Sequence, residues 1–259
     1  MVSAAEAYEG DGFVVLPKDA RVAAWAAAAL PEAKRVAADP EWQGKWLRHQ
    51  KTWFVGVDAL PNDENGAIGG VALQGPWEGL MPWITPLHPA QVSAVYPGYP
   101  RRDADESDAN HRYRLKRDAA HVDGLHAEGP GRRRFLREAH AFILGIPLNA
   151  AKAAPLVVWP GSHEIMRDAF MSAFAGLPAS MWGEIDVTEI YTEARAEVFE
   201  TCERVEVPLS LGQSVLIHRL TLHGVAPWGP KDSAPPEEGR MIAYFRPLFR
   251  ETRDWLRAD

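Results

Sequence analysis

The sequence predicts a mainly β fold with helical decoration, a sandwich or barrel forming one domain over residues 1–259. Three observations predict it. Short apolar runs bounded by turn residues recur through the second half of the chain. The helical patterns lie mostly at the front, which suits a β architecture with helices laid on it. No Gly-rich loop sits between a strand and a helix, so a nucleotide-binding α/β fold is rejected.

The elements follow in order. Residues 12–17, Gly-Phe-Val-Val-Leu-Pro, read as a short buried strand closed by proline. Asp19 suits the cap of an Ala-rich helix over 20–38, which Pro31 is expected to break into two pieces. Residues 52–57 read as strand. Residues 58–110 are rich in Pro, Gly, Asn and Trp and give no clear element, with a long loop expected over 101–110. Residues 141–148 and 156–159 are apolar runs of strand length, the second closed by Pro160-Gly161-Ser162. Residues 165–175 have helical spacing. Asp186 followed by Glu189 reads as a capping box opening a helix to about residue 200. Residues 205–207, 214–217 and 241–245 complete the strands.

Composition narrows the function. At 46% hydrophobic and 24% charged residues the chain is an ordinary globular one. Its net charge of −7 argues against nucleic acid or an anionic membrane as the main partner. With Cys202 as the single cysteine, neither an intrachain disulfide nor a Cys-based zinc site is available. A metal site must come from carboxylates and the nine histidines. No apolar run approaches the ~18 residues of a membrane span, and the opening Met1-Val-Ser-Ala-Ala-Glu6 has no basic region. The expectation is a cytoplasmic protein.

The chemistry centres on Asp118-Ala-Ala-His121-Val-Asp123. On a strand, residues i and i+2 share a face, so one imidazole and one carboxylate reach the same ion. Two histidines and one carboxylate leave open positions on an octahedral metal, the facial triad of non-haem Fe(II) oxygenases. The distal histidine is sought in the run Gly212 to Gly224, where His218 and His223 are rivals. His223, followed by Gly224, is preferred, because His218 would face the other side of a continuous strand. Arg240 opens a further strand, and its planar guanidinium suits the distal carboxylate of a dicarboxylic co-substrate; Arg246 is its rival.

The ordered set His121-x-Asp123, Pro160-Gly-Ser-His163, His223-Gly224 and Arg240, with the opening Tyr8-Glu-Gly-Asp-Gly-Phe-Val-Val-Leu16, resembles the phytanoyl-CoA dioxygenase-like family over residues 8–250. The resemblance implies a double-stranded β-helix (jelly-roll, cupin-like) core. It implies Fe(II) held by His121, Asp123 and His223, and 2-oxoglutarate as co-substrate paired with Arg240. It further implies a dioxygenase that consumes dioxygen, hydroxylates a small molecule and releases succinate and CO2. Asp123 fills a position that a small residue would leave open to halide, which favours hydroxylation over halogenation. The chain departs from the family in the Pro-rich stretch 228–238, which lengthens the interval between His223 and Arg240.

Other features receive structural readings. His126 reads as a neighbour of the site and His163 as a turn residue. Arg132-Arg133-Arg134 reads as a solvated hairpin loop, with an anionic-substrate clamp as the alternative. Trp53, Trp77, Trp83 and Trp228 read as packing residues, of which one or two could floor a substrate pocket. Cys202 reads as inert. Two other functions stay open: a cupin-type metalloenzyme without 2-oxoglutarate, and a non-catalytic jelly-roll ligand-binding protein.

Overall fold

The computed structural model describes residues 3–81, 86–235 and 237–257. Trp83 lies outside them. The elements run α1 (Ala4–Asp11), β1 (Phe13–Leu16), α2 (Ala20–Ala38), α3 (Pro40–Trp46), β2 (Leu47–Arg48), β3 (Trp53–Gly56), β4 (Gln91–Val95), α4 (Asp108–Arg117), β5 (Leu125–Glu128), β6 (Arg133–Leu136), β7 (Phe142–Pro147), β8 (Leu156–Val158), α5 (Ser162–Ala173), α6 (Thr188–Thr201), β9 (Val205–Val207), β10 (Ser214–His218), β11 (His223–Val225) and β12 (Arg240–Phe245). Short 3-10 helices occupy Ala179–Glu184 and Thr252–Leu256. None of the described helices is long and apolar enough to cross a membrane.

The strands pair antiparallel throughout. Seven form a sheet in the order β1-β10-β7-β12-β4-β3-β2, three form β11-β8-β9, and β5 and β6 form a hairpin. The period of two divides the large sheet into an outer and an inner face. Outward, Phe142, Leu144 and Ile146 of β7 and Met241, Ala243 and Phe245 of β12 pack under α2 through Val22, Trp25 and Ala29. Inward, Ile143, Val215 and Ile217 meet Leu156, Val158 and Val207 of the small sheet. The two sheets therefore form a sandwich, with the helices mostly on the outer face of one and against the hairpin.

Four expectations need correction. Pro31 does not break α2, which runs unbroken for 19 residues. Proline removes one helical hydrogen bond, but Ala26, Ala29, Ala33, Val36 and Ala37 bury a continuous face on both sides of it, and this packing holds the helix through the defect. The loop expected over 101–110 contains the start of α4, capped by Ser107, whose hydroxyl accepts from the Asn110 amide. The Asp186–Glu189 capping box does not form. Asp186 instead accepts from the Thr188 amide at 3.0 Å and pairs with Arg133, and Glu189 also turns to Arg133. Lastly, His121 and Asp123 do not lie in a regular strand. His121 forms an isolated bridge to His223, and Asp123 enters a turn at Gly124, which has φ +86°.

Candidate metal centre

The bridge between His121 and His223 builds the site. The His121 amide donates to the His223 carbonyl at 2.8 Å, and the His223 amide donates back at 3.1 Å. The two rings consequently lie side by side, with centroids 4.6 Å apart. Asp123, two residues on from His121, brings Oδ1 to 3.2 Å from His121 Nε2 and Oδ2 to 3.8 Å from His223 Nε2. One donor atom from each of the three lies within 4.8 Å of the others.

The surrounding hydrogen bonds fix which atoms face the centre. His121 Nδ1 donates to the Ala119 carbonyl at 3.0 Å, and His223 Nδ1 donates to the Thr221 carbonyl at 2.9 Å. With Nδ1 carrying the proton, each ring directs the lone pair of Nε2 to the centre, as a metal-ligating imidazole requires. Burial holds His223 down to about 4, aided by His121, so the ring is neutral. Burial would raise the Asp123 carboxyl, but the Arg246 guanidinium beside it holds it well below the usual carboxylate range. Neutral imidazoles and an ionised carboxylate are the protonation states in which such residues bind a divalent cation.

The segment carrying His121 is pinned from several sides. Asp118 and Ala119 both adopt left-handed backbone, φ +54° and +53°. The buried Asp118 carboxylate accepts a two-pronged pair from Arg204, at 2.7 and 2.8 Å. Tyr113 donates to the Ala120 carbonyl, and the Val122 amide donates to the Tyr191 hydroxyl. Gly224 closes the arrangement. An added Cβ there would lie 2.2 Å from the Asp118 carbonyl oxygen, so only glycine lets the two ligand-bearing segments approach this closely.

The structure separates the rival residues. His218 points away from the triad and packs beside His163 and Tyr8, with ring centroids 4.9 and 5.9 Å away. His163 lies buried in the first turn of α5, its Nε2 donating to the Glu9 carbonyl, rather than in a turn. His126 pairs with Glu138 outside the triad. Arg240, Tyr244 and Arg246 share the inward parity of β12 and its continuation, but at opposite ends. Arg246 Nη1 lies 3.5 Å from Asp123 Oδ2. Arg240 opens β12 six residues earlier, and its side chain approaches the hydroxyl of Tyr244, which lines the inner cavity. Arg240 is 4% exposed, and its Nε, Nη1 and Nη2 have no hydrogen-bond partner among the described residues. Its charge reaches the buried hydroxyls of Tyr244 and Tyr99, opposing the rise that burial imposes on both.

Two cavities meet at the triad. The inner one, about 240 Å³, lies between the sheets and is lined by Val55, Ser93, Ile143, Leu156, Tyr244 and Arg246 among others. The outer one, about 610 Å³, opens between α4, the β5–β6 hairpin and α6. His121, Asp123, Arg246 and Trp53 border both. Trp53 is thus the tryptophan placed as a pocket wall, while Trp77 is core and Trp228 packs near Tyr99. Gln91 and Ser93 also line the inner cavity; they lie on β4, within the Pro-, Gly- and Asn-rich stretch that masks strand character, and only the alternation Gln91-x-Ser93-x-Val95 marks it.

No family model matches the chain, and no curated protein matches it in sequence. Among solved structures, it is similar to the non-heme alpha ketoglutarate dependent carbocyclase SnoK from nogalamycin biosynthesis, at 15% identity and a TM-score of 0.51, covering 97% of this chain and 87% of that one. It also matches EctD from S. alaskensis with 2-oxoglutarate and 5-hydroxyectoine, at 18% identity and a TM-score of 0.45, over 93% and 73% of the two chains. The likeness to SnoK is one of fold.

Proposed function

We propose that this protein is an Fe(II)- and 2-oxoglutarate-dependent oxygenase with a double-stranded β-helix core, of the phytanoyl-CoA dioxygenase-like type, that hydroxylates a small molecule. The observation that carries the reading is the pairing of the His121–Asp123–His223 cluster with a buried Arg240 that meets no carboxylate among the described residues, on the inward face of the same sandwich. A buried guanidinium without a counter-anion is strongly unfavourable, so its place in the fold calls for an anionic ligand. A dicarboxylate that chelates a metal at one end and reaches an arginine at the other meets both requirements.

The residues fit the groups that this reading requires. Two imidazoles and one carboxylate on one side of an ion would leave positions for a bidentate ligand and for dioxygen. When bound, Fe(II) and 2-oxoglutarate together activate dioxygen, with succinate and CO2 as the co-products. The chain supplies everything around that chemistry. His121, Asp123 and His223 would hold the ion, and Arg240 would pair with the far carboxylate. Arg246 keeps Asp123 ionised and restrains its free oxygen. Val55, Ile143 and Leu156 line the inner cavity with hydrocarbon and exclude water from it.

The test is an anaerobic titration of the apoprotein with Fe(II) and then 2-oxoglutarate, followed by visible absorption. A weak charge-transfer band that requires both additions is expected. Iron binding without the band would move the reading to a cupin-type enzyme that does not use 2-oxoglutarate. No iron binding would favour a ligand-binding jelly roll.

A further inference from the structure

The outer cleft has a charge that the metal chemistry does not use. Arg132 and Arg134 enter it from the β5–β6 hairpin and Arg195 from α6. None of the three forms an ion pair with a carboxylate among the described residues. Each carboxylate at or near the cleft has another partner: Asp123 faces Arg246 and the triad, Glu138 faces His126 and His140, and Glu106 is paired with Arg114. Arg133, between the two cleft arginines, turns outward and does pair, with Asp186 and Glu189. In a chain with seven more acids than bases, three unpaired arginines converging on one cleft are a local reversal of sign.

Two of the arginines are also held in place. Arg195 lies over the rings of Tyr113 and Tyr191, 5.2 and 4.6 Å from their centroids, and its Nη1 donates to the Tyr113 hydroxyl. Its buried Nε has no acceptor. Arg134 anchors one nitrogen on the Leu125 carbonyl and leaves the others to the cleft. Burial lowers its proton affinity, and the charges of Arg132 and Arg195 act in the same direction, so the cluster lacks an anion that would relieve it. Arg134 and Arg195, half-buried and already anchored, lose little freedom on binding a planar or tetrahedral oxyanion, while Arg132 adds an exposed charge at the rim.

We propose that this cleft is an oxyanion subsite, in which Arg132, Arg134 and Arg195 hold a carboxylate or phosphate of the primary substrate while its remainder extends to the triad. The word substrate rests on the oxygenase reading; the anion site itself does not. The cleft volume of about 610 Å³ lies within the roughly 300–1,000 Å³ usual for small-molecule sites.

The test uses metal-free full-length protein and three probes of similar shape: benzoate, phenyl phosphate and neutral benzamide, followed by ligand-observed NMR at fixed ionic strength. At least one anion is expected to bind roughly tenfold or more tightly than benzamide, since charge-assisted hydrogen bonds are worth about 1.5–3 kcal/mol. The preferred anion identifies carboxylate or phosphate as the recognised group. R134Q and R195Q should each lose about tenfold in that binding, and R195K, which keeps the charge, should lose less. R240Q should bind the anion like wild type, which separates this site from the co-substrate pocket. Equal binding of anion and amide, or unaltered anion binding in both R134Q and R195Q, overturns the proposal. Loss of anion binding in R240Q alone would assign the anion to the inner cavity and also overturn it. Failure of the Fe(II) and 2-oxoglutarate titration, with anion binding intact, would remove the oxygenase reading and leave the oxyanion site standing.

Discussion

Gly224→Ala tests whether the geometry of the triad depends on close backbone approach. Gly224 is not among the residues with positive φ, so alanine introduces no conformational strain, only bulk. The added Cβ would lie 2.2 Å from the Asp118 carbonyl oxygen, 3.1 Å from its carbon and 3.2 Å from the Ala120 nitrogen. Ordinary contact begins at 3.4 Å, so the two segments must part by about 3.4 − 2.2 = 1.2 Å. All of the offending atoms are backbone and no rotamer change relieves them. The parting acts directly on the ladder that sets His121 against His223, whereas metal–ligand distances tolerate only about 0.2 Å. Overpacking of this kind costs about 1–3 kcal/mol. If it falls on the holo geometry, metal affinity drops roughly 5- to 140-fold. Anaerobic calorimetric titration with Fe(II), alongside a melting curve of the apoprotein, measures both quantities. The variant should lose metal affinity by about tenfold or more while its apo melting temperature shifts by only a few degrees. Wild-type metal affinity would refute the claim that the missing side chain sets the distance between ligands.

Four further outcomes follow from the same geometry. Arg240→Met removes a buried charge that has no partner, so the apoprotein should be as stable as wild type or more so in thermal melts, while stabilisation by added 2-oxoglutarate disappears; a destabilised apoprotein would mean that Arg240 has a structural partner. His121→Ala and Asp123→Ala should each abolish Fe(II)-dependent turnover and weaken iron binding, as measured by calorimetry, and wild-type-like activity in either would sink the triad. Arg204→Ala strips the two-pronged pair from Asp118 and should destabilise the fold by less than the ~3–5 kcal/mol of a fully buried pair, because Arg204 is 38% exposed, with a loss of metal affinity that denaturant titration cannot account for. His140, with help from His126, holds the Glu138 carboxyl down at about 2. Its contribution to stability is therefore complete above the ordinary carboxylate value near 4.5 and is lost as pH falls toward 2; Glu138→Gln should flatten the acid limb of the stability curve in that window, and an unchanged limb would deny the coupling.

The legible parts of the sequence were those in which one local rule acts alone. The strands of 141–148, 156–159, 205–207, 214–217 and 241–245 are apolar and bounded by turn residues, and each appears within a residue or two of its expected position. The triad was legible for a different reason: His-x-Asp and His-Gly are local patterns whose meaning is chemical, and the structure brings the three residues together as that chemistry needs. What failed was whatever depends on tertiary support. A single proline outweighs propensity in a peptide, but α2 has a sheet beneath it. Asp186 had the spacing of a capping box, yet Arg133, 53 residues away, takes it. The helix α1 was overlooked although Ser3 and Glu6 form a true capping box, each side chain bonded to the other's amide. The choice between Arg240 and Arg246 could not be made from spacing, since the two share a parity and differ only in depth.

That shared parity organises the site. Six residues of nearly extended chain carry Arg240 and Arg246 on one inward line, with Tyr244 between them. At one end Arg246 meets Asp123, where the inner and outer cavities join; at the other, Arg240 meets no carboxylate among the described residues. A bidentate acid bound at the triad and directed inward would run along this line, and a second anion arriving from outside would meet Arg132, Arg134 and Arg195 instead. Arg246 stands between the two and is already engaged by the carboxylate of the triad, which keeps it from competing for either anion. Under the oxygenase reading, the two anions would thus meet arginines on opposite sides of the triad.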